Sequence, residues 1–95
     1  MIVSRNRENL EVIFTTHAED KFIILQQHGF VVTRQQVIDT VLKPDGVFPT
    51  AKERLIAQKG ISTHHVLRVV YREEENKLFV ITFYPGRRRD YEGSV

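Results

Sequence analysis

The chain is 95 residues long, 41% hydrophobic and 27% charged, with four histidines, no cysteine and a formal net charge of +2. That length fits one domain, and the mix of apolar and charged residues places the chain in the globular range, far from the composition of disordered proteins. The missing cysteines exclude a disulfide framework and a thiolate metal site, and no apolar run approaches the roughly 18 residues of a membrane span. The N-terminal "MIVSRNRENLEV" lacks the apolar stretch of a signal peptide. A single cytoplasmic domain with no metal and no cofactor is expected. The charge is uneven: residues 1–50 carry five Lys/Arg against six Asp/Glu, and residues 51–95 carry nine against six. The cationic excess of the second half points to an anionic partner, although it falls short of binding by bulk charge alone.

In chain order, "EVIFT" (Glu11 to Thr15) clusters β-branched and aromatic residues and predicts a strand. Thr16 as N-cap, with Glu19 at the capping-box position, predicts a helix to about His28 that Gly29 closes. Ala18, Phe22 and Leu25 give it a buried stripe, which Ile23 and Ile24 widen. The same grammar recurs with Thr33 and Gln36, and Val32 and Val37 form a hydrophobic staple around the cap. Val37, Ile38, Val41 and Leu42 are the apolar face of this second helix, and "KPDG" stops it. Together the two helices predict an antiparallel hairpin.

After Gly46 the hydrophobic period changes to two. "VFPTAK" is an edge strand because Pro49 cannot donate to a ladder. "ERLIAQ", "HHVLRVVYR" and "KLFVITFY" follow, the last two joined by a loop at Glu73 to Asn76. In the third run His65, Leu67, Val69 and Tyr71 share one face, and His64, Val66, Arg68, Val70 and Arg72 the other. In the last run Phe79, Ile81 and Phe83 are expected on the core side, with Val80, Thr82 and Tyr84 opposite. A Pro85-Gly86 turn then leads into Arg87, Arg88 and Arg89. The prediction is an α+β, two-layer domain of order β-α-α-β-β-β-β, with the helical hairpin packed on a twisted antiparallel sheet.

"FTTHAEDKF", the "KERL" strand, "HHVLRVVYR" and the closing "VITFYPGRRRDYE" together resemble a family of small bacterial proteins. That family has a Thr-x-His-Ala helix start and a final Val-Ile-Thr strand followed by arginines. It is similar in layout to the RelE/ParE and BrnT toxins of toxin-antitoxin systems. The resemblance covers residues 12 to 92. It implies a RelE-like fold and an mRNA interferase: an endoribonuclease that cuts RNA, ribosome-bound or free, and is silenced by a cognate antitoxin protein. The implied chemistry is metal-free transesterification, in which a ribose 2′-OH attacks the adjacent phosphorus. It requires a base, cations for the phosphorane and an acid for the leaving oxygen.

The sequence offers candidates for each role. His17 stands at a helix N-terminus, where phosphate is favoured, with Lys21 one turn on. Arg54 and Arg68 lie within strands read as interior, where a guanidinium must reach water or a partner. Lys52 precedes Arg54 as a further contact. Arg68, Thr82 and Tyr84 would then share the face opposite the helices. Arg87, Arg88 and Arg89 could clamp a phosphate beside that face, and Tyr91 could stack on a base or supply a phenolic acid. Each has a plain alternative: His17 a surface histidine, Arg68 an ion pair with Glu53, the arginines a solvated end diluted by Asp90 and Glu92. His64-His65 is not a metal pair, because strand neighbours point to opposite faces. Alternatives to the nuclease are a catalytically silent module that binds RNA or a protein such as gyrase, and a plain interaction module.

Overall fold

The structure, a computed structural model, describes residues 10–91. The N-terminal residues 1–9, on which most of the leader reading rests, and Glu92 lie outside the described residues. Strand β1 (Glu11–Phe14) stops one residue earlier than its β-rich run, because Thr15 and not Thr16 caps helix α1 (Thr16–Gln27). The Thr15 hydroxyl accepts from the Ala18 N–H (3.2 Å) and donates to the Val80 carbonyl (2.9 Å), fastening the cap to the sheet. The Thr16–Glu19 capping box therefore does not form. Gly29 closes the helix at φ +88°, and His28 Nδ1 meets the Ile24 carbonyl at 2.8 Å. Helix α2 (Arg34–Leu42) has the predicted capping box, with Thr33 and Gln36 bonding reciprocally.

Four strands form the expected antiparallel meander: β2 (Gly46–Pro49), β3 (Leu55–Gly60), β4 (His65–Glu74) and β5 (Lys77–Arg87). The sheet order is β1-β5-β4-β3-β2, and β1 joins as a fifth strand, parallel to β5. With β1 and β2 at opposite edges, the helical hairpin carries the chain across one face. That face is the core. Ala57, Leu67, Val69, Tyr71, Val80 and Phe83 from the sheet meet Ala18, Leu25, Val37 and Val41 from the helices, and all are buried. Phe22 packs its ring 4.7 Å from that of Phe83. Burying a side chain the size of Phe83 contributes roughly 1.5–3 kcal/mol. Ile23 and Ile24 do not widen the stripe: they are 60% and 40% exposed, because the sheet contacts one narrow side of α1.

Three expectations about the meander are corrected. A β-bulge between Val70 and Tyr71 leaves Ile81 without a direct partner: Val70 pairs with Thr82 and Tyr71 with Val80. An extra residue reverses the alternation before it. Val80 and Leu78 therefore reach the core, while Phe79 leaves it and lies under the Arg72 guanidinium, 4.3 Å away. The loop between β4 and β5 is shorter than Glu73 to Asn76, since the strands run to Glu74 and from Lys77, with Glu75 left-handed at φ 54°. Finally, β5 continues through Pro85-Gly86 to Arg87. No strand flanks β5 at that level, because β1 ends opposite Val80, so a residue without an N–H is tolerated.

Candidate functional site

The face of the sheet away from the helices carries the polar half of each alternation. At its centre stands Arg68 on β4, in register with Gln58 on β3 and Tyr84 on β5. Arg68 Nε donates to the Tyr84 hydroxyl at 3.2 Å, and Nη1 donates to Gln58 Oε1. Its Cζ lies 4.2 Å from the ring centre of Tyr91, 5.7 Å from that of Phe48 and 6.0 Å from that of Tyr84. Among the described residues no carboxylate pairs with Arg68, so the ion pair with Glu53 is absent. The guanidinium is held by neutral acceptors and π faces, with no compensating carboxylate among the described residues.

The arginine run is neither a free tail nor a set of parallel clamps. Arg88–Tyr91 form a helical turn, α3, that folds back over this face. The Arg88 N–H donates to the His64 carbonyl (2.9 Å) and its Nε to the Ser62 carbonyl (2.8 Å), tying α3 to the β3–β4 loop. Two glycines admit it. A Cβ on Gly60 would meet Arg88 Nη2 at 2.1 Å, and one on Gly86 would meet the Tyr91 ring at 2.3 Å. Val66, in register between those glycines, is fully buried although it faces away from the main core. The turn and the loop enclose a cleft of about 380 Å³ lined by Thr63, His64, His65, Arg87, Arg88 and Arg89. His65 turns toward the helical side, with its ring 5.4 Å from Phe30. His64, in the bend just before β4, is exposed and lines the cleft. The cleft thus joins exposed imidazole and guanidinium groups at the end of the sheet where the Arg68 cluster begins.

Not every sequence candidate lies there. Thr82 does share the open face, two residues from Tyr84. His17 and Lys21 belong to α1, which packs on the opposite face of β5, and His17 is exposed beside the β1 edge. Lys52 and Arg54 are exposed in the turn before β3, with Lys52 and Glu53 left-handed at φ 65° and 59°. Arg54 is therefore not an interior strand residue. It stands four residues from Gln58, about 13 Å along the strand and at the opposite end from α3. Sequence reasoning missed Gln58, Phe48 and the place of His64 in the cleft. The legible signals were a polar residue inside a strand and two strand glycines, which mark close approach.

A scan against models of protein families and a search of curated proteins found no match. Among solved structures, the fold is similar to that of the ribonuclease toxin BrnT of Brucella abortus, with a TM-score of 0.51 and 20% identity. The alignment covers 81% of this chain and 96% of that one. Among the described residues no helix is long and apolar enough to cross a membrane.

Proposed function

We propose that this chain is a toxin-type endoribonuclease that cuts RNA by attack of a ribose 2′-OH on the adjacent phosphorus. The observation that carries the reading is the cleft where His64, Arg87, Arg88 and Arg89 meet beside the Arg68 cluster. Together with Tyr91 from the adjoining Arg68 cluster, it would meet the three chemical needs of the reaction with side chains. The imidazole of His64, which can both accept and donate a proton, takes the 2′-OH proton. Arg87 and Arg89 balance the charge that develops on the phosphorane. The bond from phosphorus to the 5′-oxygen breaks as that oxygen takes a proton from the Tyr91 phenol, leaving a 2′,3′-cyclic phosphate and a 5′-hydroxyl. Arg68 and Tyr84 hold the flanking nucleotide, and Arg88 positions the turn. In this reading Lys52 and Arg54 are outlying contacts, and His17 and Lys21, on the helical side, take no part.

The likeness of fold to a ribonuclease toxin adds support, and extends the reading to a cognate antitoxin that would mask the site. One observation favours a second reading: Arg68 and Arg88 already bond to Gln58, Tyr84 and Ser62, as in a rigid module that binds RNA or a protein without cutting. The two separate on one gel. Labelled single-stranded RNA incubated with the protein in EDTA should give cyclic-phosphate ends, and His64→Ala should abolish them while binding persists. Wild-type protein that binds RNA but never cuts it, with ribosomes or without, would establish the silent module instead.

A further inference from the structure

Gln58 carries a buried donor with no acceptor among the described residues. It is 6% exposed, yet it sits on the open face of the sheet and not in the main core. Its orientation is fixed by chemistry: a guanidinium has only donors, so the bond from Arg68 Nη1 must end on Oε1, and Nε2 faces away from Arg68. Among the described residues nothing accepts from Nε2. A buried amide donor is ordinarily satisfied, so an orphan beside a recognition surface calls for a ligand acceptor. The surroundings describe that ligand. Gly46 lies opposite Gln58 on β2, and its bare Cα lets the Phe48 ring fold over it, since a Cβ there would stand 3.2 Å from Phe48 Cζ. Phe48 and Tyr91 are 42% and 38% exposed and flank Arg68 from two sides. Arg68 spends two of its five N–H donors on Tyr84 and Gln58.

Flat rings beside the remaining N–H donors of Gln58 and Arg68 fit a nucleobase edge that presents a carbonyl oxygen. We infer that Gln58, with Arg68, selects keto bases, guanine or uracil, over the amino bases adenine and cytosine at the nucleotide next to the cut. The base stacks on Phe48 or Tyr91 and its exocyclic oxygen accepts from Gln58 Nε2 and Arg68. The exocyclic amine of cytosine or adenine would instead point a donor at donors. This rests on the proposal that the chain engages RNA.

The test uses the full chain and non-cleavable 2′-O-methyl octamers of uridine and cytidine, which differ at C4 in keto against amino, read by fluorescence anisotropy. The uridine octamer should bind about tenfold more tightly. Gln58→Met, which keeps length and removes the donor, should bring the ratio to about one, and Gln58→Glu should lower or invert it. Thermal melts of both variants verify folding, and either variant suffices. Equal binding of the two octamers by the wild type, or a ratio unchanged in a folded Gln58→Met, would overturn the inference and leave RNA engagement intact. Binding of neither octamer would overturn both.

Discussion

The two faces of this sheet are built from alternate residues of the same strands and obey different rules. On the helical side Leu67, Val69 and Phe83 are fully buried in the apolar core. On the open side Gln58, Arg68, Tyr84 and Tyr91 form a polar and aromatic cluster whose members contact one another and, among the described residues, no carboxylate. Packing alone would not place a guanidinium and a buried amide there, since an apolar substitute would avoid their desolvation. The contrast teaches that one face keeps the fold and the other is free to recognise something.

The comparison breaks if core and open face respond alike. The largest effect expected is on the core: Phe83→Ala should cost about 3–5 kcal/mol in a denaturant titration, from lost burial and the cavity left against Phe22. A loss under about 1 kcal/mol would mean the helical layer is not the core. A smaller effect sharpens the role of α3. Gly86→Ala puts a Cβ where the Tyr91 ring lies, so the turn should lift at a cost of about 1 kcal/mol, with faster trypsin cleavage at Arg87 to Arg89. Unchanged proteolysis would show that α3 does not depend on that contact. The smallest effect belongs to the outer side of α1, where Ile23→Ser should shift stability by no more than about 0.5 kcal/mol. A larger loss would show that this side chain is covered.

Much of the fold was legible because local rules and tertiary packing agree. Thr33 and Gln36 bond as their spacing predicts, Gly29 takes the left-handed position, and the faces of β4 follow strict alternation as far as Val70. Legibility failed where a distant contact decided a local choice. Thr15 wins the cap from Thr16 because its hydroxyl also reaches Val80. The bulge at Ile81 is set by pairing with β4, so Val80 and Phe79 exchange the faces that alternation would give them. The parallel pairing of β1 with β5 joins segments 66 residues apart and leaves no local mark. At the site, Arg68, Thr82 and Tyr84 could be grouped by strand period. Arg54 could not be excluded without seeing the left-handed turn before it, and Gln58 looked like one more polar strand residue until Arg68 fixed its amide.

The central claim is that the open face and its adjoining cleft, and not the helical layer, act on RNA. It is tested most directly by cleavage of one labelled single-stranded RNA by the wild type, Arg68→Ala and His17→Ala under identical conditions. The account predicts that Arg68→Ala loses about 100-fold or more in rate while remaining folded, and that His17→Ala stays within about threefold of wild type. Full activity of Arg68→Ala together with an inactive His17→Ala would place the chemistry on the other side of the sheet and contradict it.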